Sequence, residues 1–300
     1  MSTNRPELAF VGFGEAAQAI AAGLRTDDPG LAMSAFDIKT NGAEAAAKRA
    51  DYAAANVTAA DTVAAATGGA DLVFSLVTAD EAESAAEEAS RTPFNGAFYL
   101  DGNSCAPDAK RRAAQHVTAA GGRYVDMAIM APIHPARHKT PCLLSGPDAP
   151  CVQAITTTLG MNTTVAGAEI GDASTRKMIR SIMIKGLEAL TLECFLAART
   201  AGIEGDILAS LESSFPGFDW ARRAPYMMER SLTHGLRRAA EMREVAQTQA
   251  DLGLDPLMAT ATAARQHQIG ALQLDAAAIC TDDPGALADA ILAALDAAPT

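Results

Sequence analysis

Aromatic residues are scarce in this chain, 5% of 300 residues with a single tryptophan. The one local group, Phe215, Phe218, Trp220 and Tyr226, reads as packing between domains or subunits rather than as a base-stacking platform. Positive charge is also short. The net charge of −12 leaves phosphate repulsion unopposed and excludes a general nucleic-acid binder. A small anionic ligand stays compatible with it, because a local cluster of Lys and Arg outweighs a distant net charge. No apolar run reaches the length needed to cross a bilayer, and the N-terminal stretch has no signal-peptide core. The expectation is a cytoplasmic protein with no membrane partner. Cysteines are odd in number and scattered: Cys105, Cys142, Cys151, Cys194 and Cys280. With no CxxC or Cys/His spacing, reduced thiols and no metal are expected.

The composition that remains, 49% hydrophobic and 20% charged, is that of a globular chain long enough for two domains or one large one. Its most informative segment is Glu7-Leu8-Ala9-Phe10-Val11-Gly12-Phe13-Gly14-Glu15-Ala16-Ala17. A short apolar run, read as a strand, breaks into Gly-x-Gly-x-x-Ala and then into an alanine-rich helix over Ala16 to Leu24. Strand, tight turn and helix N-terminus, in that order, are what a dinucleotide needs. Gly12 permits the turn, Gly14 lets a pyrophosphate approach the backbone, and Ala17 allows close packing of helix on strand. The first amides of the helix, from Phe13 to Ala16, would face the phosphates. A second strand, Ala32 to Phe36, ends in Asp37, about twenty residues beyond the turn, where a carboxylate accepts hydrogen bonds from a ribose and repels a 2′-phosphate. NAD is therefore expected in preference to NADP, with Lys39 close by as the residue that argues the other way.

Further β-like runs follow at Leu72–Val77, Ala97–Leu100, Tyr124–Ile129 and Cys142–Ser145, separated by helical patterns or polar turns. The alternation predicts a doubly wound, mostly parallel sheet with helices on both faces over residues 1–168. Ligands bind such sheets at the carboxyl ends of strands, which makes Val77, Thr78 and Asn103 candidates. Residues 169–300 are expected to form an all-helical domain for substrate and dimerisation. It begins with a long interdomain helix over about residues 172–201. Met178, Ile179, Ile182, Met183, Leu187 and Leu190 repeat at helical spacing within it, and at 1.5 Å per residue it would span on the order of 40 Å. The remainder reads as several helices broken at Phe215-Pro216-Gly217, Gly253-Leu254-Asp255-Pro256 and Asp283-Pro284-Gly285.

Lys177, on the first turns of that helix, admits two readings. In one it enters a cleft, where desolvation and nearby Arg180 or Lys185 lower its pKa toward the range useful for proton transfer. In the other it belongs to a solvated face carrying a Lys185–Glu188 pair. His134 and His138 are four apart, but Pro132 and Pro135 oppose a helix between them, so exposed loop histidines are expected in preference to a substrate role. Arg222, Arg223, Arg237 and Arg238 can bind a phosphate or carboxylate; pairing with Glu229, Glu241 and Glu244 is the default.

Four landmarks stand in a recognisable order: the turn at Gly12–Ala17, Asp101-Gly102-Asn103-Ser104-Cys105-Ala106-Pro107, the region Asp126 to Gly146, and the Gly171–Lys177 helix start. Together they resemble the β-hydroxyacid dehydrogenase superfamily, which includes 3-hydroxyisobutyrate and 6-phosphogluconate dehydrogenases. The likeness is greatest to its branch with a 6-phosphogluconate-dehydrogenase-like C-terminal domain of unknown function. The resemblance implies an NAD-dependent oxidoreductase acting on a small, anionic β-hydroxy acid or related alcohol. Lys177 would be its general acid/base and Asn103 and Ser104 would lie near substrate, in a homodimer paired through the helical region. Relatives place an asparagine, or a His-Asn pair, one turn after the lysine; here Arg180 and Ser181 stand there, assigned to binding an anionic group and orienting substrate. Where relatives carry a Ser-Gly-Gly substrate loop, this chain has Met130, Ala131 and Pro132. Ala136-Arg137-His138-Lys139-Thr140 either replaces that grip or forms a solvated basic loop. The later lysine of relatives is not evident near Arg238 to Val245. Two alternatives stand beside the dehydrogenase reading: a non-catalytic dinucleotide-binding sensor or subunit, and, within the enzyme class, an imine reductase.

Overall fold

The computed structural model describes residues 5–279 and 283–297, so Cys280 lies outside the described residues. The chain divides into two compact units, Met1–Met178 and Ile179–Thr300. The first opens with β1 (Leu8–Val11), α1 (Glu15–Asp27), β2 (Met33–Phe36), α2 (Ala45–Ala55), β3 (Thr58–Ala59) and α3 (Val63–Thr67). It continues through β4 (Leu72–Ser75), α4 (Ala82–Ala89), β5 (Phe98–Asp101), α5 (Pro107–Ala119) and β6 (Arg123–Ile129). It closes with β7 (Cys142–Ser145), α6 (Ala149–Thr158), β8 (Thr163–Gly167) and the start of α7 (Asp172–Ala201).

All eight strands join one sheet in the order β3-β2-β1-β4-β5-β6-β7-β8. Every neighbouring pair is parallel except β6 and β7. Strands covered on both faces need apolar residues at every position, and β1 supplies them. Leu8 and Phe10 join a core with Ile20 and Leu24 of α1. Ala9 and Val11 join the opposite core with Ala86 of α4 and Ala113 and Val117 of α5. Phe10 stacks on Phe74 of β4 at 5.3 Å between centroids, which locks the two central strands in register. The chain runs from β1 outward to β3, then returns to β4 and proceeds the other way. The switch point therefore lies between the carboxyl ends of β1 and β4.

The doubly wound sheet follows the sequence reading, with two additions. β3 and β8 carry no apolar alternation: Thr58 and Ala59 are exposed on the edge, and β8 is Thr-Thr-Val-Ala-Gly. Both form because a neighbouring strand offers its hydrogen-bonding edge.

The second unit contains the rest of α7 with α8 (Glu204–Ser214), α9 (Trp220–Asp251), α10 (Leu257–Gly270) and α11 (Pro284–Ala297). Its core joins Leu192, Phe195 and Leu196 of α7 to Ala224, Met228 and Leu232 of α9, Ile269 of α10 and Leu287 and Ile291 of α11. α9 runs 32 residues with Pro225 in its second turn. The expected Lys185–Glu188 pair does not form. Lys185 pairs with Glu241 at 2.9 Å and Glu188 with Arg238, all four side chains being nearly out of water. Both side chains turn toward α9, which supplies the countercharges. Arg237 pairs with Glu241 as expected, whereas Arg222 turns to Asp219 and Arg223 lies over the Phe218 ring. Among the described residues, no helix is long and apolar enough to cross a membrane.

The basic loop after β6 also departs from expectation. His134 is exposed, but His138 is buried; its Nε2 lies 3.0 Å from Asp27, and Lys139 pairs with the same carboxylate at 2.8 Å. The loop sits so close to α1 that a Cβ on Gly23 would lie 2.1 Å from His138 Nδ1. His138 and Lys139 therefore close against the end of α1 remote from the glycine turn. Burial holds the His138 imidazole below its ordinary range of 6.5, with Asp27 pulling the other way. The unfolded chain thus takes up a proton near pH 6.5 that the folded chain resists, so this stability is complete above that pH and is lost as the pH falls below it. His138→Gln is expected to flatten the acid-side decline of the melting temperature between pH 7 and 5. The limit is about 1.4 kcal/mol per pH unit, the value for one proton; an unchanged slope would contradict this account.

Candidate functional site

The site begins where β1 ends. Gly12 takes φ +84°, and a Cβ there would meet the Leu76 carbonyl oxygen at 2.5 Å and Val77 at 2.7 Å. Only glycine lets the two strand ends at the switch point come this close. Phe13 turns inward, fully buried against Tyr52 at 5.0 Å. Its N–H donates to Asp37 Oδ2 at 2.7 Å, while its carbonyl accepts from Lys48 Nζ at 2.8 Å and Gln18 Nε2 at 3.1 Å. Phe13 thus anchors the turn from the core side. Gly14 and Glu15 are exposed, Ala16 is half-buried and Ala17 is buried. Open space lies where a Gly14 side chain would be, and no side chain caps the N-terminus of α1. Asp37 also accepts the Lys39 N–H at 3.0 Å, and the Lys39 ammonium is paired with Glu44 at 2.9 Å.

Past β4, the Val77 N–H donates to Asn103 Oδ1 at 2.6 Å, and Asn103 Nδ2 donates to Ser75 Oγ at 3.0 Å. Asn103, expected beside substrate, is buried with both ends of its amide used to tie β4 to the turn after β5. Thr78 is exposed. The next residue, Ser104, is half-buried and accepts from Lys177 Nζ at 2.5 Å. Gly12, Val77, Asn103, Ser104 and Lys177 therefore form one continuous run along the carboxyl edge of the first unit. Burial pushes the Cys142 thiol up to about 12 against the pull of Lys177.

Of the other expected site residues, Met130 directly follows the carboxyl end of β6, which runs parallel to β5. Met130 donates its N–H to the Pro141 carbonyl at 2.9 Å, and Ala131 and Pro132 are exposed in the loop after β6. Arg180 is exposed and Ser181 buried, both in the second unit, where Ser181 accepts from Lys185 Nζ at 3.2 Å. Among the described residues, no group of three or more His, Cys, Asp or Glu is placed to hold a metal.

Sequence reasoning missed the polar residues beneath this run. Lys110 of α5 is fully buried. Its Nζ donates to the Asp101 carbonyl at 2.6 Å and Oδ1 at 2.7 Å, and lies 3.5 Å from Asp126 Oδ1. Burial works against the charge, and the Asp101 carboxylate, with Asp126 behind it, more than offsets that and holds the ammonium above its usual range. The sequence does carry a signal. Lys110 heads the stripe Lys110-Ala113-Ala114-Val117, and Asp101 and Asp126 end or interrupt apolar strands. Charges at core-facing positions of three elements imply that they meet.

Residues 7–167 match the NAD binding domain of 6-phosphogluconate dehydrogenase. The chain belongs to that family. Residues 198–269 match a domain of unknown function, DUF1932, which places the chain in the branch of the β-hydroxyacid dehydrogenase superfamily that carries it. A conserved hypothetical protein from Sinorhizobium meliloti is 36% identical, with 97% of each chain covered and a TM-score of 0.74. The conserved protein MTH1747, of unknown function and described as structurally similar to 3-hydroxyacid dehydrogenases, is 30% identical, with 89% of this chain and 98% of that one covered and a TM-score of 0.67. The Mycobacterium tuberculosis 3-hydroxyisobutyrate dehydrogenase shares the fold at 16% identity, covering 95% and 99% of the two chains with a TM-score of 0.70.

Gly12→Ala is expected to cost more than about 1 kcal/mol, from the left-handed backbone alone, with the clash on Leu76 added. Thermal melting and NADH titration should show lower stability together with lost cofactor affinity. A variant that melts and binds like the parent would refute the role of this turn.

Proposed function

We propose that the protein is an NAD-dependent oxidoreductase that moves a hydride between nicotinamide and a small β-hydroxy acid or related alcohol. Lys177 serves as general acid and base. The observation that carries this reading is the Lys177–Ser104 hydrogen bond of 2.5 Å, set one strand from the switch point where the glycine turn opens.

The residues present fit a dinucleotide. The uncapped N-terminus of α1 and the open face of Gly14 would hold the pyrophosphate through backbone N–H groups. Asp37 would accept the ribose hydroxyls and repel a 2′-phosphate, and Lys39, which could attract one, is engaged by Glu44. When bound, the cofactor supplies the hydride acceptor or donor. In the oxidative direction, neutral Lys177 takes the proton of the substrate hydroxyl; in the reverse direction its ammonium returns that proton to the carbonyl oxygen. Ser104 holds the amine at the strand end, and its hydroxyl is free to rotate toward the same oxygen.

A homodimer completes the reading. On α7, Ile179, Met183 and Leu190 are 49%, 70% and 54% exposed and fall on one stripe of the helix at 100° per residue. Such a stripe suits a second copy of the chain.

Lys177→Ala is expected to leave NADH binding intact and to lower turnover at least about a hundredfold, the scale of lost general acid–base catalysis. The assay follows nicotinamide absorbance on a panel of β-hydroxy acids, with cyclic imines run in parallel. Near-parental turnover would rule out the mechanism. Light scattering at micromolar concentration should give the mass of a dimer; a monomer would refute the pairing.

A further inference from the structure

The proposed chemistry needs more than a lysine and a serine of the right type. The Lys177 amine sits on a flexible four-carbon stem, and proton transfer requires that it meet its partner within hydrogen-bond reach. The segments that carry Lys177 and Ser104 are each anchored by a buried carboxylate. On the Ser104 side, Asp101 Oδ1 accepts the Asn103 N–H at 3.0 Å, and Asp101 Oδ2 accepts the Tyr124 hydroxyl at 2.7 Å. On the Lys177 side, Asp126 accepts both the N–H and the hydroxyl of Ser174, at 2.9 and 2.6 Å. Asp126 also accepts the Ser145 hydroxyl at 3.1 Å, whose oxygen in turn takes the Ala173 N–H at 2.9 Å. Donors in the first turn of α7 are thus satisfied from β6 and β7. Lys177 follows Ser174 by three residues, on the adjoining turn.

Lys110 joins the two sides. Its ammonium touches Asp101 and stands beside Asp126, with all three side chains fully out of water. A buried ion cluster of this kind adds little stability over an apolar replacement of the same volume, because desolvation consumes the attraction. What it does impose is geometry. Each carboxylate is fixed by several directed bonds, and the helix dipole of α7 favours the negative charge at its start.

Resting on the reading of Lys177 above, we propose that the buried Lys110–Asp126 pair is a positioning device for the reaction. It moors the first turn of α7 and the Asn103–Ser104 turn to one ammonium, and so sets where the Lys177 amine meets Ser104. Lys110, Asp126 and Ser174 touch neither cofactor nor substrate; they act through Lys177 and Ser104.

The test reads the amine directly and needs no substrate. Lysines of the folded protein are acetylated with limiting acetic anhydride at pH 8, and the rate at each site is read by mass spectrometry, with exposed Lys39 as internal control. Ser174→Ala removes one donor to Asp126 and is expected to speed labelling of Lys177 threefold or more. Lys39 labelling and NADH affinity should stay at parental values, while the lost donor to a buried carboxylate lowers the melting temperature by a few degrees. Ser174→Thr keeps the hydroxyl and should restore the parental rate, while Asp126→Asn, if it folds, should exceed the alanine variant. Unchanged Lys177 labelling in Ser174→Ala would overturn the proposal, as would equal acceleration at Lys39, which would signal general loosening. Neither outcome bears on catalysis by Lys177, which stands or falls with the turnover of Lys177→Ala.

Discussion

The ammonium of Lys110 lies wholly out of water between the carboxylates of Asp101 and Asp126, and α5, β5, β6 and the start of α7 are arranged around it. Asp101 ends β5 and governs the Asn103–Ser104 turn. Asp126 lies in β6 and holds the start of α7. An unpaired charge at this depth would cost several kcal/mol, so α5, β5 and β6 can close only in a register that brings the three groups together. Tyr124, Ser145 and Ser174 complete the carboxylates' hydrogen bonds, which makes the arrangement specific as well as tolerable.

A second constraint acts at the other end of the run. The ends of β1 and β4 approach so closely that a side chain at position 12 has no room. Asn103 then ties the β4 end to the β5 turn with both ends of its amide. From the glycine turn to the Lys177 amine, the carboxyl edge of the sheet is one chain of backbone and side-chain hydrogen bonds. The glycine turn and the Lys177 amine are thus linked through Val77, Asn103 and Ser104.

Much of this was legible in the residues. The strand–Gly12–Gly14–helix order, the Asp37 strand end, β7 at Cys142–Ser145 and the continuous apolar repeat of α7 all rest on local rules of periodicity and turn chemistry. β3 and β8 escaped that reading because an edge strand borrows its hydrogen bonds from a neighbour and needs no apolar signature of its own. The pairs of Lys185 and Glu188 were misread for a related reason. Spacing of three on one helix offers a pair only when no other countercharge competes, and here Glu241 and Arg238 of α9 take the two side chains. His138 was expected on the surface because a basic loop between prolines has no helical face to bury, yet Gly23 leaves a gap in α1 that the imidazole fills.

The amino-acid sequence by itself determined the central strands, the long helix and where the dinucleotide turn falls, since each depends on residues adjacent along the chain, and resemblance singled out Lys177. Only the tertiary structure decided that Asn103 faces inward and Ser104 takes the lysine, and that Lys110 shares its charge between two aspartates. Those outcomes depend on residues from 9 to 73 positions apart, brought together by strand register, and no local rule carries that information.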